Sequence, residues 1–180
     1  IAQDKCISVF GGKSEMDYGC ISSIICCAGD KDVSYFIDQY EKKDKPFLLQ
    51  GGAKCDIRAF LSAPNTIGHT DYGSLAGSSA QQVSCNTTYA STALGLILNL
   101  FDKEHISEVD VFLRRRFKDP GEAKKLISEP SKVEYNTHHA EDIVRVMPQF
   151  AGKIKSSANK NPWEHYHRAE ILVKFNSQVS

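Results

Sequence analysis

Residues 20–28, Cys20-Ile21-Ser22-Ser23-Ile24-Ile25-Cys26-Cys27-Ala28, form a short apolar run closed by Gly29-Asp30. Its length and its glycine stop predict a buried strand, with Cys26-Cys27 in the core. Asp32 to Glu41 follow, with Val33, Phe36, Ile37 and Tyr40 at i, i+3, i+4 and i+7, one face of a helix. Pro46 ends that stretch, Phe47-Leu48-Leu49 reads as a second strand, and Gly51-Gly52 closes it. Strand, helix and strand within about thirty residues make a βαβ unit, whose strands run parallel. Such sheets bind ligands beyond the carboxyl ends of their strands. Those ends are Ala28-Gly29-Asp30 and Gln50-Gly51-Gly52. Glycine there lets a ligand approach the backbone, and it equally suits an ordinary turn.

Downstream, Ser62 to Ala80 is polar and reads as a loop, and Ala90 to Phe101 is an apolar helical run. Glu108 to Leu113 alternates, with Val109, Val111 and Leu113 on one side, as a strand does. Arg114-Arg115-Arg116 stands at its end. Glu122 to Ile127 suggests a short helix, Ser131 to Thr137 a connector, and Ala140 to Met147 a helix stopped by Pro148. Ile154 to Ala158 and Ala169 to Phe175 suggest two more strands. No repeat or low-complexity tract interrupts the pattern.

The 180 residues balance 22 Lys and Arg against 22 Asp and Glu, and 41% are hydrophobic. That composition suits a folded chain with a sizeable core and argues against a polyanion-binding domain, so no nucleic-acid partner is expected. Thr92 to Phe101 is about half a membrane span in length, and no membrane association is expected. Six Cys are too few for a stapled secreted scaffold, which predicts a reducing, cytoplasmic setting.

Val83-Ser84-Cys85-Asn86-Thr87-Thr88 leads from a Gly- and Ser-rich loop into the apolar helix. Ser84 suits an N-cap, which puts the Cys85 thiol at the helix start. The positive end of a helix favours a thiolate, and its unpaired N–H groups can hold an oxyanion. A thiolate so placed can attack a carbonyl carbon. The same hexapeptide also fits a buried cysteine beside a capping serine. Thr137-His138-His139 opens another helix, and an imidazole near a cysteine is the usual activating base. Arg114 to Arg116 can bind a small anion such as phosphate, or can be a solvated strand end. His165 and His167 share one face of an expected strand edge, without the Cys or carboxylate pattern a metal site needs; no metal is expected.

Taken in order, Gln50-Gly51-Gly52-Ala53-Lys54, Val83 to Thr88, Arg115-Arg116-Phe117-Lys118-Asp119-Pro120, Thr137-His138-His139, Val146-Met147-Pro148 and His165-x-His167 resemble the archaeal-type (class II) glyceraldehyde-3-phosphate dehydrogenases. The resemblance runs from about Cys20 to Phe175 and marks a partial or divergent member. It implies an α/β fold: the end of a Rossmann-like dinucleotide-binding domain (residues 1–83) joined to the start of an α+β catalytic domain (residues 84–180). By that resemblance Cys85 is the nucleophile, with His139 as the substrate-contacting base and His138 as its substitute. Ser84, Asn86, His139 and Ala140 would line the substrate site. Gly52, Arg116 and Arg115 would lie toward the cofactor, NAD or NADP. The implied reaction is phosphorylating oxidation of glyceraldehyde 3-phosphate through a Cys85 thioester, with inorganic phosphate as co-substrate and a homotetramer as the assembly.

The chain departs from the family pattern in several places. Gly11-Gly12-Lys13 is not the G-x-G-x-x-G turn that meets a pyrophosphate, so weak binding of NAD or NADP is expected of this chain alone. The family's large carboxyl-terminal portion is not visible after Val179-Ser180. Tyr89 stands where the family has glycine, Ala140-Glu141 replaces Gly-Pro, and Lys124-Lys125-Leu126-Ile127 replaces a Gly-Pro-Ile-Asn-like stretch. A bulky Tyr89 ring would crowd the pocket. The alternative function is therefore a non-catalytic dehydrogenase-like relative with a binding or assembly role. A thiol hydrolase using Cys85 and His139 is a third reading, without an evident orienting Asn or Asp.

Overall fold

A computed structural model of the chain describes residues 21–27, 30–51, 57, 59–60, 77–117, 127–163 and 165–176. Ile24–Cys26 is β1, Asp30–Lys42 is α1 and Phe47–Gln50 is β2. β1 and β2 pair in parallel, Ile24 against Phe47 and Cys26 against Leu49. The βαβ unit expected from the apolar runs is therefore present. Ile24, Cys26, Phe47 and Leu49 bury one face of these strands against Val33 and Tyr40 of α1, with Phe36 and Ile37 at the margin. The Tyr40 ring lies 5.4 Å from that of Phe47. Burial of each large side chain contributes about 1.5–3 kcal/mol, enough to hold a short unit with few polar contacts.

The first strand is shorter than its apolar run and is not buried throughout. Ile25 is 69% exposed and Cys27 is exposed. α1 packs on one face of β1, and the alternation of the pleat turns Ile25 to the other. Ala59–Phe60 (β3) and Ala80–Gln82 (β4) complete a parallel sheet in the order β1-β2-β4-β3. β4 emerges from the end of the stretch read as loop. Ala80-Gln81-Gln82 carries no apolar alternation; it is a strand because both its edges are paired, to β2 and to β3.

The next elements are α2 (Cys85–Leu98), β5 (Ile106–Arg116), β6 (Glu134–Tyr135), α3 (His139–Val146), β7 (Ile154–Asn161) and β8 (Arg168–Phe175). They build a mixed sheet ordered β6-β7-β5-β8. β5 runs parallel to β7 and antiparallel to β8, so α3 crosses between two parallel neighbours. Ile106, Val109, Val111 and Leu113 of β5 are buried, and a bulge between Ile106 and Glu108 accounts for the break in their alternation. They meet Leu94 of α2, Ile143 and Val146 of α3, and Met147 and Phe150 beyond it. Ala59 and Val83 join the same core, so the first sheet packs into the second unit rather than standing apart. The opposite face of the second sheet carries ion pairs, Arg114 to Glu170 at 3.0 Å and Lys155 to Glu108, beside Phe112 and the exposed Leu172.

The α/β class holds, with one parallel and one mixed sheet. His165 and His167 lie in the turn before β8, not on a strand edge, because β8 begins at Arg168. β7 runs to Asn161, three residues past the expected end, and Ser131–Thr137 contains the short β6. Gly52, Gly11-Gly12-Lys13 and the expected helix of Glu122 onward lie outside the described residues. Among the described residues no helix is long and apolar enough to cross a membrane.

Candidate active site

Val83 follows β4, and Ser84 turns the chain into α2. Ser84 is extended, with φ −60° and ψ 160°, and its Oγ accepts from the Thr87 N–H at 3.3 Å. The cap predicted from sequence is thus formed, and Cys85 is the first helical residue with an exposed, free thiol. No acidic side chain occupies the first turn of α2, so the positive end of the helix is left facing Cys85.

The imidazole in reach of that thiol belongs to His167. Its Nδ1 lies 3.9 Å from Cys85 Sγ and 2.6 Å from Asn86 Oδ1. A carboxamide oxygen only accepts, so Nδ1 carries a proton and donates it to Asn86. Asn86 is 4% exposed and points inward, one helical position from Cys85. It therefore fixes the His167 ring beside the sulfur. Sequence reasoning gave His167 no role in the chemistry. The two partners are 81 positions apart, and no local periodicity connects them.

His138 and His139, the expected bases, start α3. His138 occupies the cap position without making a side-chain capping bond. Ser156 of β7 does that work from outside: its Oγ accepts from the Ala140 N–H at 3.0 Å and donates to the Thr137 carbonyl at 2.9 Å. The backbone N–H of Ala140, expected in the substrate site, is thereby engaged by Ser156. His139 is 3% exposed, and its ring lies 4.2 Å from that of His138. Burial, then the neighbouring charges of His138, Arg115 and His167, push the His139 pKa down to about 4. It is neutral at neutral pH, and its Nδ1 has no hydrogen-bond partner among the described residues. A neutral buried imidazole takes up a proton only weakly, and the imidazole that stands beside the sulfur is that of His167.

The lowered pKa makes a stability prediction. Between pH about 6.5 and about 4 the unfolded chain takes up a proton at His139 and the folded chain does not. Stability at this site is therefore full above pH about 6.5, falls as pH drops through the window, and levels off below it. Urea unfolding at pH 7 and pH 4.5 is expected to show a loss on the order of 2 kcal/mol, after allowance for screening, that His139→Gln abolishes. An equal loss in the variant would assign the pH response to other groups.

Arg115 continues the buried face of β5 that carries Val111 and Leu113, and it contributes the positive charge felt at His139. Its Nε is buried without a partner among the described residues. The pleat turns Arg114 and Arg116 to the other face. Arg115, of the two arginines expected near the cofactor, is the one on the site's side of the sheet. Gly51 precedes the undescribed Gly52 and has φ 113°, a conformation that suits glycine alone, with open space where a Cβ would stand. Its carbonyl accepts from Gln81 Nε2 at 2.9 Å. Gln81 Oε1 in turn accepts from Arg145 of α3 at 3.0 Å, so the helix of the His pair is tied to the carboxyl end of β2. Tyr89, one turn after Cys85, is 54% exposed and on the same side of α2 as the thiol.

No protein-family model matches the chain. It is similar to the glyceraldehyde-3-phosphate dehydrogenase of Methanocaldococcus jannaschii, 35% identical over 142 residues, which cover 74% of this chain and 38% of the relative. The corresponding enzyme of Methanococcus maripaludis strain C6 is 31% identical over 142 residues, covering 75% and 39%. That of Pyrobaculum islandicum is 31% identical over 161 residues, covering 83% and 44%. The chain thus spans about two fifths of the length of the curated relatives it matches. The likeness drawn from its motifs is borne out as that of a partial or divergent relative of these archaeal proteins.

Proposed function

We propose that this chain, a partial or divergent relative of archaeal glyceraldehyde-3-phosphate dehydrogenases, carries the thiol half of a phosphorylating aldehyde oxidation that uses NAD or NADP. The observation that carries the reading is Cys85 at the mouth of α2, 3.9 Å from a His167 ring held by Asn86. Cys85 attacks the aldehyde carbon of glyceraldehyde 3-phosphate and holds it as a thiohemiacetal. The first-turn N–H groups of α2 face the resulting oxyanion. His167, with its Nδ1 proton held by Asn86, stands beside the sulfur and favours the thiolate form of Cys85, so that attack yields the oxyanion directly. Arg115 supplies positive charge for the substrate phosphate or for the inorganic phosphate that cleaves the thioester. His139 and His138 border the substrate, His139 as a neutral hydrogen-bonding ring. Ser84 contributes by capping the helix rather than by touching substrate.

Bound nicotinamide would accept the hydride. The bare backbone of Gly51 at the end of β2 fits close approach of such a cofactor, and the family resemblance extends that role to Gly52. This reading keeps the division at residues 83 and 84, a dinucleotide-binding part before and a catalytic part after, and a cytoplasmic homotetramer as the working assembly.

The test is incubation with glyceraldehyde 3-phosphate and NAD or NADP without phosphate. One equivalent of reduced nicotinamide and a 3-phosphoglyceryl thioester on the Cys85 peptide are expected, the latter cleared by added phosphate. A folded protein whose Cys85 stays unmodified would overturn the catalytic reading in favour of a binding or assembly role.

A further inference from the structure

We propose that His138, His139 and Asp142 form a binding site for a single divalent ion of the zinc class. One ring nitrogen from each imidazole and one oxygen of Asp142 lie within 4.8 Å of one another. The helix brings them together: His138 and Asp142 are four apart, His139 and Asp142 three apart, so all three meet over the first turn of α3. His138 Nε2 and Asp142 Oδ2 are 3.8 Å apart, too far for a hydrogen bond between them. That gap suits two ligands on one ion, since zinc sits about 2.0–2.2 Å from nitrogen and carboxylate oxygen.

A second observation points to a ligand. His139 is almost wholly buried, and its Nδ1 has no partner among the described residues. Buried polar atoms are normally paired, and this unpartnered nitrogen belongs to a ring of the same cluster. The carboxylate is also oriented for the task. Asp142 Oδ1 faces Arg145 Nη1 at 3.5 Å, which leaves Oδ2 turned toward His138. Arg145 is itself fixed by Gln81 Oε1 at 3.0 Å and by the Ile57 carbonyl at 2.7 Å. Such outer contacts orient metal-binding carboxylates.

Two nitrogens and one oxygen select zinc, cobalt or nickel over magnesium and calcium, which prefer all-oxygen sites. Three protein ligands leave a fourth position open to water or an anionic group. The nearby positive charge of Arg115 opposes the ion, so the site is reversible rather than structural. Its consequence rests on the function proposed above: a bound ion would withdraw both imidazoles from the substrate and inhibit the oxidation.

Cobalt(II) titration of the whole chain, followed by its visible ligand-field bands, tests the site, with zinc competing the cobalt away. One ion per chain is expected, without a sulfur-to-cobalt charge-transfer band. Asp142→Asn and His138→Gln, both at partly exposed positions, are each expected to weaken binding about tenfold or more. Cys85→Ser should leave it unchanged. Circular dichroism of each variant confirms that it is folded. Unaltered affinity in Asp142→Asn and His138→Gln, absence of saturable binding, or a sulfur band lost in Cys85→Ser would overturn the assignment. Loss of cobalt binding with aldehyde capture at Cys85 intact would refute the ion site alone; the converse would refute the catalytic reading alone.

Discussion

Cys85→Ser is expected to lower aldehyde oxidation on the order of 10⁴-fold or more while leaving the fold in place. The hydroxyl is a far weaker nucleophile than the thiol, and removal of a covalent nucleophile from a working site costs rate factors of this size or larger. Stability should change by less than about 0.5 kcal/mol, because Cys85 is exposed and belongs to neither hydrophobic core. Reduced nicotinamide formed per minute, alongside a urea unfolding curve, measures both halves. Turnover retained in the serine variant would reject Cys85 as the nucleophile. Turnover lost together with the fold would mean that the thiol is structural.

Phe150→Ala is expected to cost about 3–5 kcal/mol, the largest stability loss of any single truncation considered. Phe150 is 1% exposed and packs with Met147 and Ile143 at the end of α3, in the core that also holds Leu94 and Leu113. The removed ring leaves a cavity in the layer that seats α3 on the second sheet. Because α3 begins with His138 and His139, loosening of its far end should also degrade the ion affinity proposed for that pair. Guanidinium unfolding measures the first effect. A loss below about 1 kcal/mol would mean that this core does not hold α3 in position.

The parts of the fold legible in the sequence were those whose side chains alternate or repeat. Val33, Phe36, Ile37 and Tyr40 announced α1, and Val109, Val111 and Leu113 announced β5, because burial imposes the helical and strand periods. β4 was illegible for the converse reason: Ala80-Gln81-Gln82 owes its conformation to backbone pairing on two sides, which no side-chain pattern reports. Ile25, the exposed residue of β1, shows the same limit. Its apolar character predicts burial, yet only one face of β1 receives a helix.

The site divided in the same way. Ser84 and Cys85 were readable because a cap and the residue after it are local. His139 could be singled out by its motif, but its neutral state depends first on burial in the folded chain and then on charges that include Arg115 and His167, which reach it from elsewhere in the chain. His167 was present in the motifs without a role, since its contact with Asn86 exists only after the second sheet has folded. Asp142 and Arg145 sit in an ordinary amphipathic helix by sequence. Only the structure reveals that Arg145 bridges Asp142 to Gln81 of the first sheet.

The proposed chemistry depends on one microenvironment, the sulfur of Cys85 beside an imidazole that Asn86 holds. Cys27 provides an internal reference, because it too is exposed and free but precedes α1 instead of opening it, with Gln50 Oε1 at 3.8 Å from its sulfur and no imidazole in hydrogen-bond reach among the described residues. The decisive measurement is the rate of iodoacetamide labelling at each cysteine by peptide mass spectrometry. Cys85 is expected to react at least about tenfold faster than Cys27, and His167→Gln is expected to erase most of that advantage. Equal rates at the two cysteines, or an advantage of Cys85 that survives His167→Gln unchanged, would contradict the account.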